Sequence, residues 1–133
     1  MFTGSIEDRL AIRELHDQYS DAVCRKHSED WGAVWASDAT WVLMGTKVEG
    51  REAIVGLWTQ AMSAFEAVSF LSVPASIEID GNRAIGRCQT HEILKTADGT
   101  RLVGGLYLDE YVKQDGKWLY ASRDFSPLVE YQN

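Results

Sequence analysis

The chain has 133 residues, 45% of them apolar, and a formal net charge of −7 from 20 acidic and 13 basic side chains. That length and apolar share support one domain with its own core, without help from disulfides or metal. The acidic balance, with no cluster of Lys or Arg to reverse it locally, excludes nucleic acid as a partner. Cys24 and Cys88 lie far apart with no Cys-x-x-Cys or Cys/His ligand spacing, so neither a metal site nor a disulfide framework is expected. Residues 1–10 lack the pattern of a secretory signal, and no stretch nears the ~18 apolar residues of a membrane span. A soluble, cytoplasmic protein with no membrane partner is expected.

Ser5 followed by Glu7 and Asp8 marks a helix start, because the hydroxyl can accept an orphan amide and the acids suit the positive end of the helix dipole. Apolar residues at Ile6, Leu10, Leu15, Tyr19, Ala22 and Val23 predict a helix to about Lys26. Ser28-Glu29-Asp30 then caps a second, short helix burying Trp31, Val34 and Trp35 and ending before Ser37. Thr40–Met44 reads as the first strand, with Gly45 letting the chain turn away. Ala53, Ile54, Leu57, Trp58, Ala61, Met62 and Phe65 form the stripe of a third helix. From Val68 the Asp-Gly pairs at 80–81, 98–99 and 115–116 separate four antiparallel strands, near 68–79, 83–96, 101–113 and 117–126. Gly86, Gly104 and Gly105 lie inside these long strands and mark bulges or bends.

Helices followed by a bent meander predict an α+β domain, with the N-terminal helices on the concave face of a curved, mostly antiparallel sheet and an apolar cavity between the layers. Four stretches carry a family resemblance: residues 11–23, Asp38-Ala39-Thr40-Trp41, Gly50-Arg51-Glu52-Ala53-Ile54, and Tyr107–Val112 followed by Asp115-Gly116-Lys117-Trp118. In order and spacing they resemble the SnoaL-like branch of the NTF2-like (nuclear-transport-factor-2-like) superfamily, which implies the cone-shaped fold of that group over the whole chain. The fold hosts many reactions as well as plain binding modules, so it does not by itself name one. In scytalone dehydratase, hexachlorocyclohexane dehydrochlorinase and bile acid dehydratase, the resemblance implies a His-Asp dyad. Here its Asp position falls on Cys24 and its His position on Phe70 or Leu71, so both partners are missing. The base of ketosteroid isomerase falls likewise on Leu43.

Tyr19 matches a first-helix tyrosine that in such relatives points into the cavity; otherwise it is a core aromatic. Tyr107, Asp109 and Tyr111 alternate onto one strand face. Asp109 matches the position where ketosteroid isomerase keeps a protonated oxyanion donor, and a structural hydrogen bond is the other reading. Along 83–96, either Cys88, Thr90 and Glu92 or Arg87, Gln89 and His91 face inward. Glu92 is the acid in the first register, and His91 the base in the second. Arg123 either forks onto a ligand oxygen or pairs with Asp109 or Glu92. His16 and His27 read as solvated. Trp41, Leu43, Trp58, Met62, Phe70, Cys24, Cys88 and Arg123 complete the candidate lining.

Two functions follow. One is a cofactor-independent lyase or isomerase that shifts a proton next to an oxygenated carbon of a small hydrophobic, aromatic or alicyclic molecule, with Tyr19, Glu92, Tyr107 and Asp109 as catalytic groups. In that reading Asp109→Asn abolishes turnover and leaves the melting temperature nearly unchanged. The other is a non-catalytic module that binds such a molecule. A homodimer through the outer sheet face, using Ile85, Leu106 and Leu108, is expected in either case.

Overall fold

In the computed structural model, which describes residues 1–133, a two-residue strand β1 (Phe2–Thr3) precedes helix α1 (Ile6–Arg25). Ser5 caps the helix by accepting from the Asp8 amide at 3.0 Å, and Lys26 ends it in a left-handed conformation at φ 53°. The buried stripe is Ile12, Leu15, His16, Tyr19, Ala22 and Val23. Ile6 and Leu10 do not belong to it: they are 71% and 52% exposed, since the five-residue step from Leu10 to Leu15 carries them to the opposite side of the helix.

Helix α2 (Ser28–Ala33) is capped by His27 rather than Ser28; the His27 Nδ1 accepts from the Asp30 amide at 3.2 Å. Trp35, expected in this helix, instead opens strand β2 (Trp35–Leu43), five residues ahead of Thr40. A turn through Met44 and Gly45, at φ 49° and 85°, returns the chain as β3 (Thr46–Glu49), a strand the sequence pattern did not announce. Helix α3 (Arg51–Met62) stops before Phe65. Its opening Gly-Arg pair ties it to β2: the Gly50 amide donates to the Ala39 carbonyl at 2.7 Å, and the Arg51 guanidinium donates to the Trp35 carbonyl at 2.9 and 2.6 Å.

Strands β4 (Ala67–Asp80), β5 (Arg83–Thr96), β6 (Gly99–Gln114) and β7 (Lys117–Gln132) form the meander. All three Asp-Gly pairs sit at hairpins, but only Asp115-Gly116 supplies both turn residues, at φ 51° and 76°. The seven-stranded sheet has the order β1-β4-β5-β6-β7-β2-β3, antiparallel except for β1 with β4 and β2 with β7. The sheet is therefore open, curved and mixed, with the three helices packed against it, as expected of an NTF2-like α+β cone. The core between the layers is strongly aromatic: Trp31 stacks on Trp58 with ring centroids 4.5 Å apart, and Trp35, Trp41, Tyr19 and Tyr120 surround them. No helix is long and apolar enough to cross a membrane.

Register breaks bend the long strands, at Ala75 on β4 and at Ala121 and Leu128 on β7. The extra residue Ala121 changes the alternation of β7, so Tyr120 and Arg123 both point inward although three positions apart. Gly86 serves the bulge at Ala75, because a Cβ there would overlap the Ser76 carbonyl oxygen. Gly86→Ala is expected to cost about 1–3 kcal/mol in urea unfolding; unchanged stability would mean that the bulge is free to shift.

Candidate active site

The inner face of β4–β7 and the facing sides of α1, α3 and β2 enclose a cavity of about 270 Å³. Tyr19, Trp41, Leu43, Trp58, Met62, Phe70, Glu92 and Tyr107 line it, together with Phe65 and Phe125, which the sequence did not single out as lining. Gly105 makes room for Phe125: a Cβ at Gly105 would run into the Phe125 ring. Most of the lining is apolar, so a guest loses water on entry and polar contacts at a few points fix its orientation.

The principal polar points are two buried phenols and one carboxyl. The Trp41 Nε1–H donates to the Tyr107 oxygen at 3.2 Å, and the Tyr19 and Tyr107 oxygens lie 3.5 Å apart. The Tyr107 proton is therefore not needed by Trp41, and its contact with Tyr19 is at the long limit of a hydrogen bond. A guest oxygen between the two hydroxyls would receive both protons. Burial raises both phenol pKa values, Tyr107 most, so they act as donors at neutral pH.

Alternation along β5 resolves the register left open by sequence: Cys88, Thr90, Glu92 and Leu94 turn inward, and His91 lies on the exposed outer face. Glu92 is half-buried and has no hydrogen-bond or ion-pair partner; Arg101, its nearest cationic influence, is joined to Glu130. Burial pushes the Glu92 carboxyl up from its ordinary value.

Asp109, Arg123 and Cys88 lie beneath the cavity rather than in its lining. Asp109 accepts from Arg123 Nε at 2.7 Å and Nη2 at 3.2 Å, with both side chains sealed from solvent. This corrects the catalytic reading of Asp109: its oxygens are held by Arg123 and by the Tyr111 hydroxyl at 3.3 Å, and its removal would leave a buried guanidinium without a counter-charge. An unchanged melting temperature for Asp109→Asn no longer follows. Burial pushes the Asp109 carboxyl up, and the guanidinium pulls against that rise. Arg123, for the same reason, is not a fork onto a ligand. Cys88 is a buried thiol whose pKa burial raises. Cys24 leaves the lining on the exposed side of α1, where its sulfur accepts from the Phe70 amide at 3.3 Å.

His16 is not solvated but fully buried, on the helical stripe between Ile12 and Tyr19 where the i, i+4 spacing could have placed it. Tyr111 donates to Asp109, so its oxygen accepts from His16 Nε2 at 2.7 Å, and His16 Nδ1 accepts from the Tyr120 hydroxyl at 2.8 Å. Donor atoms of His16, Cys88 and Asp109 lie within 4.8 Å of one another. They do not suit a metal ion, since both ring nitrogens are engaged and Asp109 already holds a cation.

The SnoaL-like domain family profile matches residues 4–124. The chain belongs to the SnoaL-like domain family. A comparison with curated proteins finds no match. Among solved structures, a provisionally assigned scytalone dehydratase from Novosphingobium aromaticivorans superposes with a TM-score of 0.88 at 20% identity, covering 96% of this chain and 89% of that one. A hexachlorocyclohexane dehydrochlorinase gives 0.88 at 16% identity, with 96% and 90% covered. A provisionally assigned aromatic ring hydroxylase from Novosphingobium aromaticivorans gives 0.87 at 24% identity, with 98% and 96% covered. At these identities the likeness is one of fold. The SnoaL-like chain brings Cys24 and Phe70 into contact, whereas Leu71 is 69% exposed and turned outward. The two positions on which the dyad was counted therefore adjoin, and neither carries a proton-transfer group suited to the role.

Burial lowers the His16 pKa well below its ordinary 6.5, with Arg123 adding to the effect. The unfolded chain thus takes up a proton that the folded one refuses, so His16 contributes stability in full above about pH 6.5 and loses it as pH falls. The stability margin of wild type over His16→Gln, measured by urea unfolding between pH 7 and 5, should shrink by up to about 1.4 kcal/mol per pH unit. A constant margin would show that His16 is not held neutral.

Proposed function

We propose that the chain is a cofactor-independent lyase or isomerase that moves a proton next to an oxygenated carbon of a small hydrophobic molecule, aromatic or alicyclic. The observation that carries this reading is the partnerless Glu92 carboxyl sharing an apolar cavity with the Tyr19–Tyr107 pair. The Glu92 carboxylate takes a proton from the carbon beside a substrate carbonyl, and the bond electrons move onto the carbonyl oxygen. Tyr19 and Tyr107 stabilise that oxyanion by donating to it. Return of the proton to another carbon completes an isomerisation; loss of a leaving group from the β-carbon completes an elimination. A carboxyl raised by burial suits this traffic, because its proton affinity moves toward working pH. The flat rings of Trp41, Trp58 and Phe70 suit a flat guest. Dehydratase and dehydrochlorinase, the names of two similar structures, both describe eliminations and agree with this class.

A second reading, a binding module without turnover, is favoured by Cys24 and Phe70 standing where the dyad of the active relatives is counted. In both readings the partner is a small hydrophobic molecule. The chain pairs with a second copy through the outer sheet face, where Ile85 is 54% and Leu108 52% exposed, with the half-buried Leu106 two residues before Leu108 on the same strand. The unpaired thiols Cys24 and Cys88 suit a cytoplasmic setting.

Deuterium uptake by 2-tetralone in heavy water, followed by proton NMR, separates the readings. The enzyme is expected to accelerate exchange at the carbons beside the carbonyl, with Glu92→Gln losing about 100-fold or more of that acceleration and Tyr107→Phe a smaller part. Saturable binding of 2-tetralone without accelerated exchange would support the binding module. For the pairing, analytical ultracentrifugation at micromolar concentration is expected to show a dimer, and a monomer would contradict it.

A further inference from the structure

Arg123 makes contacts that its ion pair does not require. Its guanidinium carbon lies 3.7 Å from the ring centroid of Tyr107, 4.6 Å from Tyr19 and 4.4 Å from Tyr120, so three phenol rings wrap the cation. Asp109 occupies Nε and Nη2 only, and the buried Nη1 has no hydrogen-bond partner. Two of the three rings belong to the phenols that line the cavity.

We propose that Arg123 is a positioning residue of the cavity floor, whose sealed cation beneath the Tyr107 and Tyr19 rings strengthens the hydrogen bonds these phenols donate to a guest oxygen. This rests on the reading of the phenols as oxyanion donors and adds the source of their strength. A cation over a ring is attracted by its π electrons and draws charge from the phenol oxygen, which makes the O–H a better donor. At 0% exposure no solvent screens the effect. Asp109 opposes it only in part, since its oxygens engage the guanidinium at Nε and Nη2 while the guanidinium carbon lies 3.7 Å from the centroid of the Tyr107 ring. Burial alone would make the phenols reluctant acids, and Arg123 pulls both back toward ionisation. The pair therefore stays protonated while donating more strongly than a phenol in a purely apolar pocket.

The position of Arg123 is fixed from outside the cavity. Tyr111 and Arg123 hold Asp109, His16 holds Tyr111, and Tyr120 closes the chain by donating to His16 and covering Arg123. None of these groups meets the guest, so the network can set donor strength without altering the shape of the cavity.

The test is made on the ligand-free full-length protein, so its outcome does not depend on any ketone being a substrate. A difluorotyrosine is placed at position 107 and its ionisation followed by fluorine NMR. The neutral pair Arg123→Gln with Asp109→Asn is expected to raise the midpoint so that the acid constant falls about tenfold, and Arg123→Lys is expected to restore most of it. An unchanged midpoint in the folded neutral pair overturns the proposal, whatever happens to 2-tetralone exchange. Should the neutral pair fail to fold, the same label is read at 107 and at 111 in the native background. The label facing the cation at 107 must ionise below the one donating to Asp109 at 111, and the reverse order overturns the proposal. Loss of exchange in Tyr107→Phe, by contrast, reports on the oxyanion reading alone.

Discussion

The structure depends on one buried ion pair, Asp109 with Arg123. Two opposite charges taken fully out of water are tolerated only when the geometry is good and nearly all their polar atoms are served, and here Arg123 Nη1 alone has no hydrogen-bond partner. The cross-strand register sets Asp109 opposite Arg123 on adjacent strands, and the extra residue Ala121 lets Tyr120 face inward alongside Arg123. The rings of Tyr19, Tyr107 and Tyr120 enclose the cation, while Tyr111 donates to the carboxylate and is itself held by His16. The first helix is thus docked by a polar network as well as by its apolar stripe, because His16 and Tyr19 both reach this pair.

That constraint divides the polar residues into two layers. Below the floor, charges are matched and proton positions are fixed, so the groups there have no free acid or base capacity to offer a guest. Above it, Tyr107 and Tyr19 present hydroxyls, and Glu92 presents a carboxyl with no competing partner. At the positions where the resemblance counts a His-Asp dyad the chain has a sulfur and a phenyl ring, and of the two carboxyls in the cavity lining Glu130 is paired with Arg101 while Glu92 has no partner. The cavity holds its unpartnered carboxyl on β5 and its two phenols on α1 and on β6, the next strand of the meander.

Much of this was legible in the sequence, because it is written in local periodicity. Ser5 as a cap, the existence of the third helix and the hairpins at the Asp-Gly pairs all follow from short-range preferences, although of the expected stripe of that helix only Ile54 and Trp58 are buried and Ala53, Leu57 and Ala61 are exposed. Inward alternation identified Tyr107 and, as one of two registers, Glu92. What escaped depends on partners distant in the chain. Trp35 looks helical beside the exposed Ser37 and Asp38, yet it becomes a strand by pairing with Tyr120. Thr46–Glu49 is too short to show a period. His16 hid on an apolar stripe because a polar residue there is meaningful only once Tyr111 and Tyr120 arrive from the other end of the chain. Asp109 pointed inward as expected, but its capture by Arg123 was only one of two readings until the bulge at Ala121 fixed where the arginine points.

The central claim is that Asp109 and Arg123 act as one structural unit beneath the cavity. A double-mutant cycle with Asp109→Asn and Arg123→Gln, measured by urea unfolding, tests it most directly. Each single variant should lose about 3–5 kcal/mol, and the double variant should lose markedly less than their sum, with a coupling above about 1.5 kcal/mol. Additive losses would show that the two side chains do not depend on each other, and the division between a sealed floor and the cavity above it would fall with them.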